Sequence, residues 1–196
     1  MAYSIEGSSH ACYEGTLCLV NKLDIRDEAA LEIFESDITV MKAAVLEANP
    51  LPGVFDFAHY KRVHKYLFED IYDWAGEIRD VDMSKKTTRF VGADDIERIA
   101  GPLFKRVQAL GRPAKRLSIY TKNIALVYHE VNMLHSFREG NGRTQRSFFT
   151  QLIRAAGYNI DFNRCDRDFL TIATIQAAGG ILDYMRRFFD ESIQIG

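Results

Sequence analysis

The chain has 196 residues, 47% hydrophobic and 27% charged, with a formal net charge of −2. That length supports a buried core and one domain over residues 1–196, and the near-neutral balance excludes bulk attraction to nucleic acid or anionic lipid, so any basic site must be local. No apolar run approaches membrane length and no secretory signal is visible. Cys12, Cys18 and Cys165 are odd in number and lack metal-ligand spacing. They read as reduced thiols of a cytoplasmic protein, with export by a route lacking a cleaved signal left open.

Residues 1–26 are mixed; Tyr13-Glu14-Gly15-Thr16 leads into Leu17, Leu19, Val20 and Leu23, which predict a short helix. Asp27 is a candidate N-cap for a helix over 28–48, with Ala30, Leu31, Ile33, Phe34, Ile38, Met41 and Val45 inward. Pro50 and Pro52-Gly53 end it. Asp56 opens a helix with Val63, Leu67, Ile71 and Trp74 on one face, stopped by Gly76, and His64 beside that face reads as a packed core residue. Residues 77–92 break the helical pattern: Glu77 to Met83 alternates, and Ser84 to Val91 ends in β-branched residues, which predicts a small β-hairpin. As a bare pattern this is equally a solvated hairpin whose lysines blunt an edge. Asp94 or Asp95 caps a helix carrying Ile96, Ile99, Leu103, Val107 and Leu110, with a kink or break at Pro102. After the turn Gly111-Arg112-Pro113, a helix over about 115–134 leads into the informative stretch. Beyond it, Gly157 caps a second helix, Tyr158 to Phe162 is an extended link, Asp166 opens a helix over 167–178, Gly179-Gly180 breaks it, and Ile181 to Ile193 is a final amphipathic helix. The fold class is all-α with one hairpin.

The informative stretch is His135-Ser136-Phe137-Arg138-Glu139-Gly140-Asn141-Gly142-Arg143-Thr144-Gln145-Arg146. Ile124, Val127, Tyr128, Val131 and Leu134 before it, and Phe148, Phe149, Leu152 and Ile153 after it, recur at helical spacing, so it is helix, short loop, helix. Gly140, Asn141 and Gly142 fall where backbone N–H groups have no intrahelical partner, and such a helix start favours phosphates. Arg143 and Arg146 lie on one side of that helix and match phosphate oxygens, unless both are plain exposed charges. Glu139 suits a hard cation that bridges phosphates, or else simply faces the positive helix end. His135 is a candidate general base rather than a mere C-terminal dipole partner. Phe137 is a core anchor for the loop and Arg138 a solvated side chain. Together these are the parts of a nucleotide-dependent transferase.

The stretch resembles the Fic signature H-P-F-x-[DE]-G-N-G-R-x-x-R at every position but one, where Ser136 replaces proline. Asp70 to Arg79, Ser84-Lys85 and Arg89-Phe90 also look like the Fic helix and flap, so the resemblance covers most of the chain. It implies a Fic-type helical bundle, with the signature at 135–146 and the flap at about 80–91. The implied activity is transfer of AMP from Mg2+-ATP to a Ser, Thr or Tyr hydroxyl of a target protein. His135 would then be the base, Glu139 the Mg2+ ligand, Gly140, Asn141 and Gly142 the cradle, and Arg143 and Arg146 the distal-phosphate contacts. Lys85 and Thr88 on the flap would face the nucleotide or the target, whose extended backbone the flap pairs with. Gly142 separates the chain from the Doc branch, which resembles a kinase and carries lysine there. Adenine contacts are expected around Gly179 to Tyr184. The self-inhibitory pattern [ST]-x-x-x-E-[GN] is missing: the glutamates of Glu6-Gly7, Glu14-Gly15 and Glu139-Gly140 are preceded four residues earlier by Ala2, His10 and His135. Inhibition is therefore expected from a separate small antitoxin whose glutamate pairs with Arg146. The competing readings are a non-catalytic nucleotide-binding module, against which the intact His135 argues, and a transferase using another nucleotide donor.

Overall fold

The computed structural model describes residues 11–195 and the backbone of residues 4–6. Strand β1 (Ser4–Glu6) precedes helices α1 (Glu28–Ala48) and α2 (Phe57–Phe68). The hairpin β2 (Asp82–Lys85) and β3 (Thr88–Arg89) follows, then helices α3 (Ile96–Leu110), α4 (Leu117–Leu134) and α5 (Asn141–Ala155). Strand β4 (Tyr158–Asn159), helices α6 (Arg167–Ala178) and α7 (Asp183–Ser192) and strand β5 (Gln194–Ile195) complete the order. The chain is the helical bundle with a small hairpin that its sequence predicts. No described helix is long and apolar enough to cross a membrane.

Helix α4 is the spine, packed against α3, α5, α6 and α7, while α5 also packs on α1 and α2. The two are joined through aromatic side chains. Phe148 of α5 meets Tyr60 edge-on at 5.2 Å, and Tyr128 of α4 meets Phe149 at 4.9 Å and Phe189 at 5.1 Å. Truncating one such buried ring costs about 3–5 kcal/mol, so the ends of α4 and α5 that carry the signature are rigidly placed. Three aspartates cap helices as expected. Asp27 accepts from Ala30 N–H, Asp56 from His59 N–H, and Asp166 from Asp168 and Phe169 N–H, each worth about 1 kcal/mol.

The structure departs from the sequence reading in five places. No helix forms over Leu17 to Leu23; the Asn21 side chain bonds the carbonyls of Leu19 and Ile25 and the N–H groups of Leu23 and Ile25, satisfying locally what a helix would. Helix α1 turns Leu31, Phe34 and Ile38 inward as expected, but it also buries Glu35, Thr39 and Leu46 and leaves Ile33, Met41 and Val45 exposed. Helix α2 stops at Phe68, and Gly76 does not cap it: with φ +89°, Gly76 sends its N–H back to His64 Nδ1 at 2.8 Å. Helix α3 runs through Pro102 unbroken, because Ala100, Leu103, Phe104 and Val107 on either side of it are buried. The hairpin starts at Asp82, and it gains a third strand: β1 pairs antiparallel with β2, with Ile5 opposite Met83, so the order is β1-β2-β3. A second small pairing, β4 with β5, ties the C-terminus to the segment after α5.

His64 is core, as expected, and more than packing. It stacks on Phe137 at 3.8 Å and on Phe68 at 4.7 Å, and its Nδ1 accepts from Gly76, so Nε2 carries the proton and donates to the Glu139 carbonyl at 3.0 Å. Burial pushes its pKa down to about 3. The unfolded chain therefore binds a proton at pH values where the folded protein does not. The stability His64 provides is complete above an unfolded pKa of about 6.5 and drains away as pH falls toward 3. His64→Gln should lower stability at pH 7.5 yet flatten its decline by up to about one proton's worth of slope between pH 7.5 and 5. Urea midpoints at the two pH values test this; an unchanged slope would refute it.

Candidate active site

Helix α4 ends on His135, whose backbone takes the left-handed conformation at φ 44°, ψ 57°. A non-glycine residue in this region is strained and persists only where its surroundings hold it. Arg79 does the holding. Its side chain is 3% exposed, with Nε donating to the His135 carbonyl at 2.7 Å, Nη1 to Val81 at 2.6 Å, and Nη2 to the Val91 and Leu134 carbonyls. The Arg79 N–H also donates to the Ser136 carbonyl at 2.9 Å. One guanidinium thus ties both ends of the flap segment to the C-terminus of α4, where the helix dipole favours a cation.

The loop from Ser136 to Gly140 is pinned from below. Phe137 is fully buried, as the anchor reading requires. Asn141 closes a ring on it: its Oδ1 accepts from the Phe137 N–H at 2.9 Å and its Nδ2 donates to the Phe137 carbonyl at 2.6 Å. The Asn141 side chain is thus spent on the loop, leaving its backbone for a ligand. Gly140 has φ +78°, and a Cβ there would stand 2.2 Å from the Phe68 ring, so glycine is demanded twice. Its N–H is taken by Glu139 Oε1 at 2.8 Å. The N–H groups left at the start of α5 are those of Asn141, Gly142 and Arg143; among the described residues none has an acceptor. Arg138 is half-buried rather than solvated, with Nη2 3.9 Å from Cys12 Sγ.

The two signature arginines differ. Arg143 is engaged: Nη2 pairs with the buried Glu35 and lies 3.5 Å from Glu139 Oε1, Nη1 donates to Thr39 Oγ1 at 3.3 Å, and the guanidinium sits 5.0 Å over the Phe68 ring. Arg146 is half-buried with no carboxylate on it among the described residues, and burial lowers its pKa. Both line one cavity of about 720 Å³, with His135, Gly142, Thr39 and Phe90. Lys85 and Thr88, the two flap residues singled out in the sequence, line it too. The far wall runs from Ile160 to Ala178; the residues from Gly179 to Tyr184, where base contacts were expected, do not reach it.

His135 is 6% exposed and stacks face to face with Phe90 of the flap at 3.7 Å and 10°. Its Nδ1 lies 3.3 Å from the Asn132 carbonyl, which assigns the proton to Nδ1 and the lone pair to Nε2. Burial, with help from the Arg79 and Lys85 charges, pushes its pKa down to about 3, so the ring is neutral at ordinary pH. A metal would find one carboxylate here. No three His, Cys, Asp or Glu side chains converge among the described residues, while Glu139 Oε2 has no partner among them. A lone carboxylate fits Mg2+, which takes its other ligands from phosphates and water.

A helix-loop-helix anion cradle facing a neutral buried histidine, roofed by a hairpin, defines a nucleotide-handling helical domain. The family model for the Fic/DOC family matches residues 54–153, just over half of the chain, and the chain belongs to that family. It is 38% identical over 171 residues to "Protein adenylyltransferase VbhT" of Bartonella schoenbuchensis, covering 85% of this chain and 35% of that relative. It is 37% identical to "Probable protein adenylyltransferase y4lH" of Sinorhizobium fredii, covering 87% of this chain and 88% of the relative. The crystal structure of the VirB-translocated effector BepC of Bartonella tribocorum, with bound AMPPNP, superimposes with a TM-score of 0.88 at 28% identity, covering 95% of this chain and 97% of that one. The match to VbhT thus spans about a third of that protein, whereas y4lH is matched over most of its length.

Glu35, Thr39, Tyr72, Arg79 and Phe90 support the site; Tyr72, Arg79 and Phe90 fell within the stretches that resemble the Fic helix and flap, whereas Glu35 and Thr39 carried no functional signal in the sequence. The one available clue was Leu31, Glu35 and Thr39 at four-residue steps, a buried stripe that hydrophobicity alone passes over. Gly142 yields a clean test. A Cβ there would lie 3.3 Å from Arg146 Nη1, while alanine in a helix gains about 0.8–1 kcal/mol over glycine. Gly142→Ala should therefore raise the melting temperature while displacing Arg146 and weakening nucleotide binding several-fold. Equal affinity in a more stable variant would show that Arg146 is not confined by this contact.

Proposed function

We propose that this chain is a protein adenylyltransferase. It takes ATP and moves AMP onto a Ser, Thr or Tyr hydroxyl of a target protein. The observation that carries the reading is that a neutral His135 and an Arg146 without a carboxylate partner among the described residues line the same cavity at the start of α5. The adenylyltransferase names of the relatives and the AMPPNP bound in the BepC structure support it.

The triphosphate lies along the N–H groups of Asn141, Gly142 and Arg143, with Arg146 drawing in the distal phosphate. The target oxygen attacks the α-phosphorus, the bond from that phosphorus to the oxygen bridging to the β-phosphate breaks, and pyrophosphate leaves. Nε2 of His135 takes the hydroxyl proton, and the Nδ1 bond to Asn132 keeps the ring in the tautomer that can. Glu139 is the residue assigned to Mg2+, which when bound would neutralise phosphate charge. Since β1 covers one edge of β2, an extended target segment pairs with the outer strand β3. Gly142 in place of the Doc-branch lysine favours AMP transfer over a kinase reaction. The described helices form one Fic unit, and with no disulfide joining Cys12, Cys18 or Cys165 the proposed compartment is the cytoplasm.

Regulation follows from the same charge. Arg146 awaits an anion, and Val40 and Ile175 are exposed apolar side chains lining the same cavity, a setting for a small helical antitoxin that inserts a glutamate. Of the internal candidate Glu6, the backbone lies in β1 opposite Asp82; its side chain, Gly7 and Ala2 lie outside the described residues.

Two experiments test the proposal. His135→Ala should abolish transfer while calorimetry still shows nucleotide binding, and in the wild type the acid limb of kcat/KM should fall below pH 6, because burial keeps the free enzyme's His135 neutral there. Loss of binding in the variant would remove His135 from the role of base. Separately, the purified chain should modify itself with ATP as strongly as a chain lacking residues 1–8. Activity that emerged only on truncation would place the inhibitor inside the chain and remove the need for an antitoxin.

A further inference from the structure

We infer that Glu35 is a positioning residue for the transfer step: it fixes Arg143 and cancels its charge, leaving Arg146 to draw in the nucleotide. This rests on reading the cavity as a nucleotide site. Glu35 comes from α1, far from the signature in sequence, and its side chain is 7% exposed. One carboxylate oxygen takes Arg143 Nη2 and the other takes the Tyr72 hydroxyl, so both are committed and the group cannot turn away. Thr39, one turn further along α1, takes Nη1 of the same guanidinium at 3.3 Å. A buried anion paired this way is expensive to hold unless it is fully bonded, and here every bond it makes serves to aim Arg143.

The competitor is Glu139. It lies in the loop just before the N-cap of α5, four residues before Arg143 in sequence, and its Oε1 stays 3.5 Å from Nη2. Glu35 keeps Arg143 short of a full pair with Glu139, and so leaves Glu139 available. Without the Glu35 charge, Arg143 swings onto Glu139, and the site carries one more net positive charge. Nucleotide should then bind more tightly but in a poorer pose.

Glu35→Gln, which keeps the shape and removes the charge, should tighten binding of metal-free AMP-PNP several-fold by calorimetry. It should also slow transfer at saturating ATP roughly ten- to a hundredfold, as misplacement of a binding group does. Thr39→Val removes a neutral anchor, so it should slow transfer without tightening binding. Wild-type protein that binds no AMP-PNP sinks the nucleotide reading, and this inference with it. Wild type that binds and transfers normally while Glu35→Gln matches it in both measures sinks this inference alone. Weaker binding by Glu35→Gln, or tighter binding by Thr39→Val, also overturns it, since charge would not then be the cause. Should Glu35→Gln fail to fold, Thr39→Val decides: a wild-type rate overturns the inference.

Discussion

The site depends on one buried cation. Arg79 donates to the carbonyls of Val81, Val91, Leu134 and His135 and has no carboxylate partner among the described residues. Removing a guanidinium from water is costly, and the cost is met by carbonyl dipoles, two of them at the negative end of α4. The consequence is geometric. The strained backbone of His135, the start of the flap and its end are joined to one rigid fork, so the flap cannot drift while the histidine stays put. Phe90, carried on the flap's return, then lies flat on the imidazole and shuts water away from it.

The second constraint is how positive charge is distributed at the start of α5. Three N–H groups without an acceptor among the described residues, together with two arginines, would over-concentrate it if no anion were present. The fold answers with Glu35 on one arginine and leaves the other open. Arg146 and the N–H groups without an acceptor among the described residues are held in place in advance, which would lower the ordering cost of the proposed nucleotide binding. Aromatic side chains hold the cradle still. Phe68 presses on Gly140, Phe137 stacks under His64, and Tyr72 holds Glu35.

Ser136 marks where this chain departs from the family signature. Its hydroxyl is buried and has no partner among the described residues, and its carbonyl serves Arg79. In place of a proline's rigid φ, the backbone here is held by the Arg79 N–H. The serine deletes no catalytic group, and Arg79, Asn141 and the packed Phe137 hold the loop around it.

Much of the protein is legible in the residues alone. The helix limits of α1, α5 and α6, the three aspartate caps, the hairpin and the whole run from His135 to Arg146 follow from local rules: periodicity, capping side chains and the need for glycine at a crowded helix start. The signature is local too, since the proposed base and the proposed cradle come from one helix-loop-helix. What the sequence could not decide is which partner each charged group meets. Glu35 lies more than a hundred residues before Arg143, and a glutamate on a helix looks solvated until the fold buries it. The inward face of α1 is only partly legible for that reason: Leu31, Phe34 and Ile38 pack inward as their spacing predicts, but a polar buried stripe of Glu35 and Thr39 leaves no hydrophobic trace, while Ile33, Met41 and Val45 leave one and face out. Hydrophobic periodicity reports the average cost of meeting water. Pairing of buried charges, and the edge of β2 that β1 covers, depends on which segments meet in space, and only the tertiary structure settles that.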